Sequence, residues 1–311
     1  MRLFITGSDG FIGSELVSQC KQRKIKTVTA DIRSGFDVRA KNIAGHIPKN
    51  MDAVIHLAGL SSDNMCKKRD YDAFDINVLG TLNLMEVAAA QGAKQFIFAS
   101  TEWVYDNCVA DQQKTEESAI NVANHTSEYA LSKLVSEANL RQRHQHGFCP
   151  ITIFRFGIVY GTAGEKKSAV ESLFFNVRDK DEVTVGSLKS GRCFIHVSDI
   201  AAGIIKAVGM PGFNIINLAG DKLITLADII KLSKKILKKN PKVIETDPKN
   251  ISVRNISNKK AKKTLKWSPN RHTRHFNGGS QGPPSAYRWP LLLTFEDPAD
   301  RADQLLEGRA G

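Results

Sequence analysis

Short apolar runs alternate with longer amphipathic stretches through the first half of the chain. RLFIT, TVTA, AVIHLA, QFIFAS and ITIFRFG are nearly continuous in apolar or β-branched residues. Between them lie GSELVSQCKQRK, NVLGTLNLMEVAAAQ and SEYALSKLVSEANLRQR. An apolar run of that length, bounded by polar turns, reads as a strand buried on both faces. Apolar residues three and four apart in the longer stretches read as helices with one buried side. Their regular alternation implies βαβ units, so the expected fold class is α/β, with a doubly wound parallel sheet.

After Gly161 the alternation loosens. A helix is expected around SAVESLFFNVRD, then FIHVSDIAAGIIKAVG and NIINLAG return to the earlier rhythm, followed by the helix LADIIKLSKKILKK. The expected organisation is a first domain over 1–161, rejoined by 192–219, and a smaller C-terminal part built from 162–191 and 220–269. Lysine disappears after Pro269, and residues 270–311 become rich in Arg, Gly and Pro. This atypical tail reads as loop or disorder around GGSQGPPS, with a short helix at DPADRADQLLEG.

Composition adds limits. The chain is 41% hydrophobic and 24% charged, ordinary for a globular protein. No apolar run reaches membrane length, and the leading LFI is too short for a signal-peptide core. Five scattered cysteines, with no CxxC pair and no metal-like spacing with His, read as reduced thiols in a cytoplasmic protein. The net charge of +12 is concentrated: residues 231–266 hold thirteen Lys or Arg against two acids. Apolar residues such as Ile229, Ile230 and Leu237 interleave with those lysines and aromatic residues do not. The run therefore reads as a solvated helix face rather than a nucleic-acid surface.

The segment FITGSDGFIGSEL spaces Gly7, Gly10 and Gly13 as GxxGxxG, after a predicted strand and at the opening of a predicted helix. Glycines there permit a tight turn and close backbone approach to a pyrophosphate, and the helix start offers its free N–H groups. That context assigns a Rossmann-type dinucleotide site, with Phe11 and Ile12 in the first helical turn. Asp31, closing the second strand, suits the ribose hydroxyls of NAD and would repel a 2′-phosphate. Arg33, just behind it, could pair with one. Asp37, followed by Val38, is a candidate for the adenine amino group or a plain surface acid.

Tyr129 and Lys133 are four residues apart in SEYALSKL and so share a helix face. An ammonium beside a phenol favours the phenolate, so a lowered Tyr pKa is expected, suited to acid–base work. Thr101 ends the QFIFAS strand with a hydroxyl, where α/β proteins place their chemistry.

With these motifs in order, the chain resembles the extended short-chain dehydrogenase/reductase family, in its nucleotide-sugar epimerase/dehydratase branch. TGSDGFIG, HLAGLSS, NVLGTLNLM, RFGIVYG, GRCFIHVSDIA and KWSP carry the resemblance from residue 1 to about 269. It implies NAD as cofactor, lying along Leu57, Ala58 and Gly59 and served by Asn77, Tyr129 and Lys133. It implies Tyr129 as the acid/base on a sugar hydroxyl, Lys133 on the nicotinamide ribose, and Thr101 bonded to the reacting oxygen. It further implies Arg192 on a phosphate of a nucleotide-diphosphate sugar, a structural role for His196 and Asp199, and a homodimer. Two features depart: the stretch TAGEKKSAVE directly after Gly161 has no Asn, with Lys166 and Lys167 standing there instead, and the tail replaces a closing helix. In the family's 4,6-dehydratases an acid pair follows the hydroxyl residue. Here the pair is Glu102 and Trp103, and indole cannot serve as a base. A 4-epimerase working through a 4-keto sugar needs only Thr101, Tyr129 and Lys133. A 4-keto-sugar reductase uses the same groups once, and a non-catalytic NAD- or RNA-binding protein of this fold is a further alternative. Glu102 has no assigned role, and Trp103 either lines the pocket or packs behind Thr101.

Overall fold

The computed structural model describes residues 1–105, 112–161 and 168–269. The apolar runs all become strands of one parallel sheet: β1 Arg2–Thr6, β2 Lys26–Ala30, β3 Ala53–His56, β4 Phe96–Thr101, β5 Ile151–Phe156 and β6 Phe213–Leu218. Their order is β6-β5-β4-β3-β1-β2. The second strand ends at Ala30, one residue short of Asp31. Asp31 instead caps a 3₁₀ turn, Ile32–Ser34. Residues 31–52 hold no further strand, so β3 pairs directly with β1. The winding direction reverses between them, which opens a crevice at their carboxyl ends.

The longer helices among the described residues frame the sheet and its extension: α1 Phe11–Gln22, α2 Gly80–Ala90, α3 Glu128–Gln145, α4 Ala169–Asp179, α5 Val197–Lys206, α6 Leu226–Leu237 and α7 Lys259–Leu265. Strand alternation sends Leu3 and Ile5 to one face, where they meet Leu16 and Cys20 of α1 and Ile200 and Ile204 of α5. Phe4 points the other way, into a core with Leu84 and Met85 of α2 and Leu140 of α3. Both faces are thus covered, which is why the strands are apolar throughout.

A separate apolar cluster joins Val170, Leu173 and Val177 of α4 to Ile229 and Ile230 of α6. Beside it a short strand, Glu182–Val185, pairs with Lys242–Glu245. Lys231 and Lys235 lie on the exposed side of α6, so this part of the basic run is the outer face of an amphipathic helix. Trp267 of KWSP is buried, and its indole N–H donates to the Asp199 carbonyl at 3.0 Å, closing the chain back onto α5. The expected tail, its helix at DPADRADQLLEG, Lys166 and Lys167 fall outside the described residues.

One helix departs from expectation. NVLGTLNLMEVAAAQ does not begin a helix at Asn77. The chain is already helical at Asp70–Phe74 and passes through a π-helical turn, Asp75–Leu79, into α2. Such turns re-aim side chains and frequently mark functional walls. This one carries Asn77.

Candidate active site

At the crevice, Gly7 follows β1 with φ of +69°, a left-handed conformation that a side chain disfavours. A Cβ on Gly7 would lie 2.7 Å from the Ala58 nitrogen, and one on Gly13 would lie 2.1 Å from the Gly7 carbonyl oxygen. The missing side chains therefore let the first turn of α1, with Phe11 and Ile12, press onto the loop. The Gly10 amide donates to the Gly7 carbonyl at 3.1 Å. Gly10 is also the N-cap of α1 and supplies no side-chain cap, leaving the helix's first N–H groups for a ligand. A pyrophosphate fits this cradle. Gly13→Ala should abolish NAD retention, a loss of at least about tenfold in affinity, read by fluorescence titration with NADH.

Asp31 is buried, and its carboxylate ties the loop to the end of β2. One oxygen accepts from the Asp9 amide at 3.0 Å and the other from the Arg33 amide at 3.1 Å. Each oxygen keeps a second lone pair for a ribose hydroxyl. The Arg33 guanidinium donates to the Asp9 carbonyl at 3.0 Å. Asp37 is engaged through both oxygens by Arg39, whose hydrogen bonds hold the Asp37 carboxyl below its ordinary range. Arg39 also reaches Asp75. Val38 packs against Gly80, where a Cβ would lie 2.6 Å from its methyl.

Leu57 and Ala58 leave β3 with their amides on the Thr6 carbonyl and hydroxyl. Gly59 follows at φ +154°. A Cβ there would lie 2.6 Å from Asn77 Oδ1 and 3.5 Å from Lys133 Nζ, so this floor has room only for glycine. Asn77 is buried. Its Oδ1 accepts from the Leu60 amide at 2.9 Å, and its Nδ2 donates to the Leu60 carbonyl and the Ser132 hydroxyl. Asn77 thereby locks the Gly59 floor to α3.

The same floor carries Lys133, and across it stand Thr101 and Tyr129. His56 pairs with Phe98, so Thr101 lies three residues past that level, about 10 Å higher along β4 by strand rise. Its hydroxyl caps the 3₁₀ turn Glu102–Val104, accepting from the Trp103 amide at 3.2 Å, and is hydrogen-bonded to the Tyr129 side chain. Ser127 caps α3 two residues before Tyr129 and so fixes where the phenol enters. Tyr129 and Lys133 are both buried.

The expected lowering of the Tyr129 pKa is not what this geometry gives. Burial pushes the phenol up to about 12, against the opposing Thr101 bond, with Cys66 and Glu102 adding to the rise. The Lys133 ammonium points instead toward Gly59 and over the Phe98 ring, 4.8 Å from its centroid, and burial pulls it down to about 8.

Residues not anticipated complete the wall. Cys66, fully buried, packs with Leu60, Ala73 and Tyr129, and Trp103 closes the cluster from the other side. The Arg254 guanidinium lies 4.2 Å over the Trp103 ring. Trp103 thus packs between this cluster and the Arg254 guanidinium. Arg192 meets the acid that follows Thr101: its Nε lies 3.1 Å from a Glu102 oxygen. Its Nη1 donates to the Gly191 and Ser252 carbonyls at 2.8 and 2.6 Å, and Nη2 donates to the Ser252 hydroxyl at 2.8 Å. Glu102 is 0% exposed. Neither of its oxygens makes a hydrogen bond of good geometry, so the Arg192 pair is an ion pair only. Nothing local in TEWVY signals this pairing, since Arg192 is ninety residues away.

Burial pushes Glu102 up to about 7, against the favourable charges of Arg192 and Arg254. A folded pKa above the ordinary 4.5 means that the folded chain holds this proton longer than the unfolded one. Its contribution to stability is full below pH 4.5 and lost as pH rises through about 7. Over that window wild type should lose on the order of 3 kcal/mol relative to Glu102→Gln, measured as the pH dependence of urea unfolding. Parallel pH profiles for the two proteins would refute a buried, titrating Glu102.

Comparison with known proteins places this geometry. Over 225 residues the chain is 29% identical to UDP-glucuronate 4-epimerase of Thermodesulfobacterium geofontis, covering 71% of this chain and 68% of that protein. It is 26% identical over 296 residues to UDP-glucuronic acid decarboxylase 6 of Arabidopsis thaliana, covering 86% and 84%. The crystal structure of Thermus thermophilus UDP-glucose 4-epimerase in complex with NAD superposes with a TM-score of 0.76 at 23% identity. It covers 88% of this chain and 95% of that one, a likeness that establishes the Rossmann-like fold. Among the described residues no helix is long and apolar enough to cross a membrane. A family model matches residues 3–219, and with it the glycine cradle, Thr101 and the Tyr129–Lys133 pair: the chain is an enzyme of the NAD dependent epimerase/dehydratase family.

Proposed function

We propose that the enzyme is a nucleotide-sugar 4-epimerase. The observation that carries this reading is the Thr101–Tyr129 hydrogen bond beside Lys133, with an indole rather than a second acid next to Glu102. Gly7, Gly10 and Gly13 would hold the pyrophosphate of NAD, Asp31 the adenosine ribose, Asp37 and Val38 the adenine edge, and Leu57 to Gly59 with Lys133 the nicotinamide ribose. Bound NAD supplies the two-electron acceptor for the oxidation, and a positive charge beside a phenol that burial otherwise keeps protonated. Tyr129 takes the proton of the sugar C4 hydroxyl while Thr101 bonds to the same oxygen and holds it in line. The 4-keto sugar turns in the pocket, the two electrons taken up in the oxidation would return as hydride to the opposite face of C4, and Tyr129 gives the proton back to the oxygen. The names of the relatives, which include uronate and glucose enzymes, support a UDP-sugar and leave the sugar open.

The test is a panel of UDP-, GDP- and dTDP-sugars, with and without added NADH. Interconversion of C4 epimers with no net change in NADH is expected. Stoichiometric NADH loss on a keto-sugar would make the enzyme a reductase instead, and release of water from the sugar would overturn the role given to Trp103.

A further inference from the structure

His56 ends β3 in register with Thr6 at the end of β1, the two strands between which the winding reverses. Its ring is buried against Phe96 and Phe98, yet both ring nitrogens are engaged. Nδ1 lies 2.8 Å from the Thr6 hydroxyl, and Nε2 lies 3.0 Å from the Thr81 hydroxyl of α2. The partners decide where the ring proton sits. The Thr81 hydroxyl has one proton and donates it to the Asn77 carbonyl, one turn back, at 2.6 Å. Toward Nε2 it can therefore only accept, so Nε2 carries the proton. Burial, helped by the Lys133 ammonium, pulls the ring down to about 3, which keeps it neutral. A neutral imidazole has one N–H, so Nδ1 is bare and accepts from the Thr6 hydroxyl. The Thr6 oxygen in turn accepts from the Ala58 amide at 3.3 Å. Every donor thus points the same way: Ala58 to Thr6, Thr6 to His56, His56 to Thr81, and Thr81 to the Asn77 carbonyl. That carbonyl also accepts from Ser136 of α3 at 2.9 Å.

We infer that His56, as its Nε2–H tautomer, is a positioning residue for the cofactor: it sets the Ala58–Gly59 floor against the π-helical turn and the helix that carries Tyr129 and Lys133. The inference rests on the reading that the nicotinamide ribose lies along this floor, and it is independent of which sugar reaction follows. The floor is held at both ends from one residue of the turn. Leu60 is bonded to the Asn77 side chain, which also reaches Ser132 of α3. Ala58 is tied to the Asn77 carbonyl through Thr6, His56 and Thr81. Gly59 lies between, and a Cβ there would stand 3.5 Å from Lys133 Nζ. The Lys133 ammonium and the floor are thereby kept in one frame. A protonated ring would donate from both nitrogens and take away the acceptor of the Thr6 hydroxyl, so the relay needs the neutral form. An apolar ring of the same size would fill the space and hold neither hydroxyl.

The test cuts the relay while keeping its shape. Thr81→Val should weaken NADH binding about tenfold, as expected for losing a buried hydrogen bond. Affinity for ADP, which spans only the glycine cradle and Asp31, should stay within about twofold of wild type. Thr81→Ser keeps the hydroxyl and should restore NADH binding. Fluorescence titration reads NADH and calorimetry reads ADP. Equal weakening of both ligands would mean a general loosening of the fold, and weakening of neither would mean that the relay positions nothing; each result overturns the inference. Wild type that binds NADH no more tightly than ADP would instead defeat the reading of the floor on which the inference rests. The seat of the proton is read separately in wild type, by long-range ¹H–¹⁵N correlation of the eight histidine rings. One ring should show Nε2 protonated and Nδ1 bare, should not titrate between about pH 5 and about pH 9, and should be the signal that moves in Thr81→Ser. The absence of any such ring overturns the inference whether or not Thr81→Val folds.

Discussion

Tyr129→Phe lowers kcat by about a thousandfold, the middle of the range for removing a general acid–base group, and leaves NAD binding and KM nearly unchanged. The substitution keeps the ring that packs against Leu60, Cys66 and Trp103 and deletes only the hydroxyl bonded to Thr101. The wall should therefore stand while the proton loses its carrier. A structural role for the hydroxyl would instead lower the melting temperature or NAD affinity, so both are measured beside turnover. Full activity in Tyr129→Phe would end the proposed mechanism. Since burial holds the phenol near 12, turnover in wild type should also climb with pH through the neutral range, and the climb should vanish in the variant's residual activity.

Glu137→Ala destabilises the enzyme by about 3–5 kcal/mol, the usual cost of stranding one partner of a buried ion pair. Glu137 stands on α3, one turn beyond Lys133, with Arg155 opposite it on β5 and only 4% of either side chain exposed. The Arg155 Nη2 donates at 2.6 Å and Nε bridges both Glu137 oxygens at 3.0 and 3.2 Å. Ser100 of β4 donates to the same carboxylate, while Arg155 Nη1 donates to the Tyr105 hydroxyl, which donates to Asn217 of β6. The network therefore pins the helix bearing Tyr129 and Lys133 to three adjacent strands. Urea unfolding reads the loss, and a change below about 1 kcal/mol would mean that water reaches the pair. Replacing both partners, as Glu137→Leu with Arg155→Met, should cost markedly less than Glu137→Ala, because no charge is left stranded.

The strands, the glycine loop and the helix carrying Tyr129 and Lys133 were all legible in the chain. Each is local: an apolar run, three spaced glycines, or two residues one helical turn apart. The π-helical turn at Asn77 was not legible, because no residue pattern distinguishes it from the α-helix it interrupts. Nor was the Tyr129 pKa, because spacing shows that a lysine is one turn away but not how dry the phenol is or where the ammonium points.

What the sequence by itself determined is the parallel α/β frame and the residue types brought to its carboxyl edge. These follow from side-chain periodicity and from the backbone freedom of glycine, properties that neighbours in the chain already possess. The tertiary structure alone decided which charges meet. Glu102 with Arg192, Arg254 with Trp103, and Glu137 with Arg155 are each joined across different elements, by packing rather than by spacing. A buried charge takes whatever partner the fold brings within reach, and the cost of leaving water makes that choice decisive for the chemistry of the pocket.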